Sequence, residues 1–125
     1  MIIGIGVDVV DIERFGAMIE RTPGFLERVL TPEEITTPNG NRRSDASLAA
    51  RFAAKEAISK ALGAPPGLEW HDCAIHTALT GQPIVEMTGT VQANAFNQGI
   101  SHVHLSLSHD GGIATAYAIA EGRGR

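Results

Sequence analysis

Cysteine is nearly missing from this chain of 125 residues: Cys73 stands alone, so no disulfide can form within it. In the apolar run Cys73-Ala74-Ile75 it reads as a small buried hydrophobe rather than a nucleophile. Long apolar runs are missing too, and none approaches the roughly 18 residues needed to span a bilayer. The N-terminal stretch MIIGIGVDVV has no positive leader and carries Asp8, so it reads as a strand and not as a signal peptide. These absences predict a cytoplasmic protein with no membrane partner. Positive charge is also in deficit. Ten Lys and Arg against fourteen Asp and Glu give a net charge of −4, which argues against a nucleic-acid partner, because phosphate backbones select a basic footprint. No repeat, low-complexity tract or linker divides the chain, so residues 1–125 are expected to form one domain. Its length and its 43% hydrophobic content suffice for a core without staples.

What is there alternates between two periods. Residues 2–9 read as a buried strand, with Gly4 and Gly6 allowing close backbone approach. From Asp11 the apolar spacing turns helical through Ile12, Phe15 and Ile19, until Pro23-Gly24 ends it. Thr31-Pro32-Glu33-Glu34 is a helix start, with Pro32 at the first helical position and Glu34 closing a capping box. Residues 36–45 are expected to be a mobile loop, and a long helix is predicted over 46–62, stopped by Gly63 and Pro65-Pro66. The second half predicts a hairpin about Thr80-Gly81-Gln82, a short helix from Val91 to Gln98, and a second hairpin about His109-Asp110-Gly111-Gly112. Strands gathered mainly after helices define an α+β class with a largely antiparallel sheet.

Three places carry chemistry. Asp8 follows Gly-Ile-Gly-Val, and a charge there is costly unless it is paired or binds a cation, although it also suits turn chemistry. Asp11 is the N-cap of the helix that follows. Glu56 and Lys60 lie about 40° apart on the predicted long helix, with Ala49, Phe52 and Ala53 flanking them. That is a solvated i,i+4 ion pair or an acid and a base facing a ligand. Two carboxylates with a nearby ammonium suit a divalent metal holding a phosphate, since Mg²⁺ takes one or two carboxylates plus substrate phosphates. In the third place, Ser106 and Ser108 alternate along a strand that ends in His109, Asp110 and two glycines. This is either an ordinary hairpin or a set of donors to phosphate oxygens. His102 and His104 on the same strand are too few for a zinc site and read as edge or interface residues. Arg14, Arg21 and Arg28 recur every seven residues, as scattered charge or as a docking strip for an acidic protein.

Taken in order, GIGVDVVDIER (4–14), ERVLTPEE (27–34), RFAAKEAISKALG (51–63), GQP (81–83) and HLSLSHD (104–110) resemble the holo-[acyl-carrier-protein] synthases, the small stand-alone 4′-phosphopantetheinyl transferases. The resemblance covers essentially the whole chain. It implies that family's α+β fold, with a mostly antiparallel sheet, a long central helix and trimeric assembly with sites at subunit interfaces. It also implies transfer of the phosphopantetheine arm of coenzyme A to a serine hydroxyl of an acyl carrier protein, releasing adenosine 3′,5′-bisphosphate. Asp8 and Glu56 match the family's Mg²⁺ carboxylates and Lys60 its pyrophosphate-contacting lysine. Arg51, Ser106, Ser108 and His109 match positions lining the coenzyme A site, while Arg14, Arg21 and Arg28 face the acidic carrier. The serine proton would go to Glu56, to a metal-bound water or to another group. Asp110, beside His109, stands where some relatives carry a hydroxyl residue, and the loop with Arg42-Arg43 fits no motif. Two other readings stay open on the residues alone: a divalent-metal phosphohydrolase using Asp8 and Glu56, and a trimeric binding module for acidic partners.

Overall fold

The structure is a computed structural model describing residues 1–125. β1 (Ile2–Asp11) leads through helices α1 (Ile12–Arg21), α2 (Phe25–Val29) and α3 (Pro32–Ile35) to the long helix α4 (Asp45–Ala61). A 3₁₀ turn at Trp70–Asp72 then opens β2 (Cys73–Thr77), followed by β3 (Pro83–Met87), α5 (Gly89–Asn97), β4 (Ile100–Asp110) and β5 (Ile113–Gly122). Strand order is β1-β5-β4 in one fully antiparallel sheet, and β2 and β3 form a separate antiparallel pair. Both predicted hairpins are present. No helix is long and apolar enough to cross a membrane.

The helix-on-sheet layer is built from residues with almost no side chain. The positions of β5 facing α4 are Ala114, Ala116, Ala118 and Ala120, all at most 1% exposed, and α4 answers with Ala53, Ala57 and Ala61. Methyl against methyl lets helix and sheet approach closely. Gly4 and Gly6 extend the same seam onto β1, where a Cβ at either position would overlap a carbonyl oxygen of α4. A second cluster gathers Phe15, Leu26, Val29, Leu30 and Leu48 at the other end of α4. There Phe52 sits 5.3 Å from Phe15 and 5.9 Å from Phe25 between ring centroids, and stacks on Trp70 at 5.5 Å.

One expectation needs correction. β1 is not buried on both faces: Ile5, Val7 and Val9 point away from α4 and are 56%, 48% and 62% exposed. Alternation was masked because two of the inward positions, Gly4 and Gly6, are glycines, which carry no polarity signal. The first helix ends at Arg21, just ahead of Pro23-Gly24 as expected. Gly24, with φ +84°, turns the chain into the extra helix α2. Residues 36–44 form a loop, as expected up to the start of α4, and main-chain contacts run across it. Thr36 bridges Arg42, Thr37 N donates to Asn41 O at 2.8 Å, Arg43 N donates to Ile35 O at 2.9 Å, and Ser44 caps α4 by accepting from Ser47 N. Two caps follow the sequence reading: Asp11 accepts from Arg14 N, and Glu34 accepts from Thr31 N, each at 2.8 Å.

Candidate active site

The glycine seam brings Asp8 to α4. Gly6 and Asp8 are two residues apart on one strand, so both face the helix. Asp8 is mostly covered, with a side chain 17% exposed, and Lys60 Nζ donates to its Oδ1 at 3.1 Å and to Val7 O at 2.9 Å. Lys60 therefore spans from α4 to β1 and does not form the expected i,i+4 surface pair with Glu56. Glu56 is half-buried, and its carboxyl is raised above the ordinary range, first by burial and then by the nearby charge of Asp8, with Lys60 opposing. A shift caused by Asp8 places the two carboxylates within electrostatic reach of each other.

Glu56 stands between two hollows. One is an open groove of about 400 Å³ that also takes in Asp8, Arg14, Met18, Phe25 and Phe52. The other is a cavity of about 210 Å³ beneath Ser59, floored by Ile58, Leu62, Leu68 and Val91. Nowhere in the chain do three or more His, Cys, Asp or Glu side chains converge. Two carboxylates are what the protein offers a cation. That donor set fits Mg²⁺, which is bound by one or two carboxylates and completes its shell with water and phosphate oxygens.

Beside Glu56 lies a pair that sequence reading missed. Lys55 is buried and ion-paired to buried Glu34 at 2.7 Å, and it donates to Val29 O at 2.8 Å and Trp70 O at 3.1 Å. The second Glu34 oxygen accepts from Ile75 N at 2.8 Å. The pair thus ties α2, α3, α4, β2 and the 3₁₀ turn together one residue from Glu56. Glu34 was legible as a cap. Its second role depends on a partner 21 residues away, which no local periodicity marks.

The remaining candidates are dispersed. Arg51 is only 6% exposed and donates to Ser47 Oγ at 2.8 Å and Thr77 Oγ1 at 2.9 Å. Burial and the neighbouring Arg43 lower its pKa, while Glu34 opposes them. The Nε atoms of both Arg43 and Arg51 are buried without a partner. Arg43 and Thr77 line an open groove of about 610 Å³ with Thr36, Thr37 and His76, apart from the Asp8–Glu56 groove. Ser106 and Ser108 lie in register with Tyr117 and Thr115, and through them with Val7 and Val9, on the face of the sheet turned away from α4. His109 pairs with Ala114 at the exposed end of β4, two strands or about 10 Å from β1. Asp110 follows it, also exposed, before the Gly111-Gly112 turn. A single copy therefore does not bring Ser106 and Ser108 to Asp8. Arg14 and Arg21 lie exposed on α1 and Arg28 on α2, with the Arg28 guanidinium 6.0 Å from the Phe25 ring centroid.

An α+β layer thus presents two carboxylates and a lysine at a strand–helix contact. The model of the 4′-phosphopantetheinyl transferase superfamily matches residues 4–120. A holo-[acyl-carrier-protein] synthase of Streptomyces griseus is 56% identical over 122 residues, covering 98% of this chain and all of the relative. One from Micrococcus luteus is 57% identical over 125 residues, covering 98% and 94%. Among solved structures, the holo-ACP synthase of Plasmodium yoelii superposes with TM-score 0.85 at 33% identity, covering 98% of this chain and 97% of that one. The Helicobacter pylori synthase, solved in complex with coenzyme A, gives TM-score 0.81 at 32% identity, covering 94% and 99%. The chain belongs to the 4′-phosphopantetheinyl transferase superfamily, among its small stand-alone holo-[acyl-carrier-protein] synthases.

Proposed function

We infer that this chain transfers the 4′-phosphopantetheine arm of coenzyme A to a serine hydroxyl of an apo acyl carrier protein, releasing adenosine 3′,5′-bisphosphate. The observation that carries the reading is the meeting of Asp8, Glu56 and Lys60 where β1 crosses α4. Asp8 and Glu56 are the residues that would hold Mg²⁺. The ion would neutralise charge on the pyrophosphate as the phosphoryl group transfers. Lys60, half-exposed on its flexible stem, is placed to turn from Asp8 toward the same oxygens. The serine proton needs an acceptor in the groove. Asp8 is already ion-paired, whereas Glu56 has no ion-pair partner and lines the groove beside Arg14. Glu56, directly or through a water, is our assignment for that role.

Two further features support coenzyme A as the donor. Arg43 lines a groove with Thr36, Thr37 and Thr77, Arg51 donates to that Thr77, and both hold unpartnered Nε donors; this is our assignment for a terminal phosphate of the nucleotide. The outer face of the three-stranded sheet exposes Ile5, Val7, Val9 and Tyr117, at 46% to 62%. An apolar face of this kind supports association with further copies, and we propose a trimer in which Ser106, Ser108 and His109 of one copy serve a neighbour's site. Arg14, Arg21 and Arg28 would then receive the acidic carrier protein, in the cytoplasm.

The test is intact-mass analysis of an apo acyl carrier protein after incubation with this protein, coenzyme A and Mg²⁺. A gain of about 340 Da, lost with EDTA and with Glu56→Ala, is the expected result if a carboxylate-held metal supports the transfer. Release of adenosine 3′,5′-bisphosphate with no carrier present would instead mark a phosphohydrolase. Sedimentation at micromolar concentration tests the assembly, and a monomer would sink the shared-site proposal.

A further inference from the structure

Gly4 and Gly6 are not demanded by backbone conformation, since neither has a positive φ. They are demanded by what lies against them. A Cβ at Gly4 would overlap the Ala61 carbonyl oxygen and stand 3.0 Å from its carbon. One at Gly6 would overlap the Ala57 carbonyl oxygen and reach 2.8 Å from Ala61 N and 2.9 Å from Lys60 Cβ. All five of these neighbours are main-chain or Cβ atoms, and no rotamer change moves them. Ala57 and Ala61 are one helical turn apart, and Gly4 and Gly6 are one strand repeat apart. The two advances, about 6.0 Å and 6.7 Å, nearly match. β1 thus runs antiparallel along α4 with one inward residue per turn. The next inward residue is Asp8, at the turn that carries Glu56. Lys60 fastens the same crossing by donating to Val7 O.

We propose that Gly6 is a positioning residue: by bringing β1 into main-chain contact with α4, it sets the Asp8–Glu56 separation to the span of a small divalent cation. The proposal rests on the assignment of Asp8 and Glu56 as metal carboxylates. Mg²⁺ requires oxygens at about 2.0–2.1 Å, whereas Ca²⁺ accepts about 2.3–2.6 Å in a looser shell. A methyl group at position 6 must lift the strand by about 1 Å to regain ordinary contact. That shift penalises the smaller ion more.

The experiment is calorimetric titration of Mg²⁺ and of Ca²⁺ into the coenzyme A-bound protein, without carrier, for the wild type, Gly6→Ala, Gly4→Ala, Asp8→Asn and Glu56→Gln. Gly6→Ala is expected to weaken Mg²⁺ about tenfold, the usual scale for losing a residue that orients a metal ligand, and Ca²⁺ by less. Gly4→Ala, one turn farther from the carboxylates, is expected to lower stability comparably and to keep the wild-type Mg²⁺/Ca²⁺ ratio. Adding Asp8→Glu to Gly6→Ala is expected to recover Mg²⁺ binding, because the longer side chain closes the widened gap. A folded Gly6→Ala protein with the wild-type ratio overturns the proposal. Should Gly6→Ala fail to fold, Asp8→Glu alone decides. Its added methylene is expected to lower the ratio in the wild-type frame, and an unchanged ratio overturns the proposal equally. Metal binding untouched by Asp8→Asn and Glu56→Gln would overturn the metal assignment itself, and this inference with it.

Discussion

Lys60 turns away from Glu56, its neighbour one turn back on α4, and places its ammonium 3.1 Å from Asp8 on β1. The contact crosses 52 residues of chain and joins the two elements on which the proposed chemistry depends. Half-exposed, it resembles the surface ion pairs that contribute under about 1 kcal/mol to stability. Lys60→Met is therefore expected to leave the urea midpoint close to wild type. Loss of one pre-positioned donor at a developing charge typically lowers kcat by about 10²–10³-fold, and that range is expected here. A variant with normal turnover would remove Lys60 from the phosphate-binding set.

The Glu34–Lys55 pair predicts the opposite pattern. Both side chains are at most 2% exposed, and every contact they make is within protein. Removing one partner leaves a buried charge unpaired, at about 3–5 kcal/mol. Lys55→Met is expected to show that loss in chemical denaturation. Lys55→Met with Glu34→Leu should be less damaged than the sum of the single variants, and strict additivity would contradict a direct coupling.

Glu56 gives a pH dependence whose sign is fixed. Its pKa is raised in the folded protein above the ordinary value of 4.5, so the fold binds the proton more tightly than the unfolded chain does. Stability contributed by protonated Glu56 is then full below the unfolded pKa and is lost as pH rises through the folded one. In EDTA, Glu56→Gln is expected to be more stable than wild type at pH 7, with the difference disappearing below the usual carboxylate range. Thermal melts across pH 3.5–7.5, a window chosen to bracket that range, measure it. A constant difference would remove Glu56 as the cause.

Arg14, Arg21 and Arg28 are exposed on consecutive helices and bear on encounter rather than on the bond broken. Charge reversal at these positions is expected to lower kcat/KM for the carrier protein by about tenfold at low salt through slower association. Turnover at saturating carrier should hold. The deficit should shrink as salt rises, because screening removes the steering from the wild type as well. A salt-independent deficit would point to a contact at the reacting centre.

Cys73 supplies a simple chemical check. Burial pushes its thiol up to about 12, so almost none of it is thiolate at neutral pH. Iodoacetamide at pH 8 is expected to leave the folded protein unmodified and to label it stoichiometrically in urea.

Local chemistry was legible where it acts locally. The caps at Asp11 and Glu34, both hairpins and the long helix follow from spacing and turn residues. Asp8 stood out as a charge where a charge is costly, and Glu56 through its i,i+4 spacing to Lys60 on the long helix. What sequence reading could not supply was pairing at a distance: Lys60 to Asp8, Lys55 to Glu34, and Arg51 to Thr77. Each unites elements whose contact exists only after folding. The exposure of β1 was hidden by its glycines, which stand where a polar or apolar side chain would have reported a face. Ser106 and Ser108 were identified by motif, yet their opposite facing could be seen only once register was known.

The alanine seam between β5 and α4 carries a consequence for how such an enzyme can change over generations. None of its residues is assigned to a phosphate, a metal or a carrier, yet its methyl groups decide how closely the plane bearing Asp8 lies against the helix bearing Glu56. A bulkier residue on either side would act as a shim. Lineages could retune the spacing of the two carboxylates by editing a dry interface, leaving every ligand-bearing residue as it was.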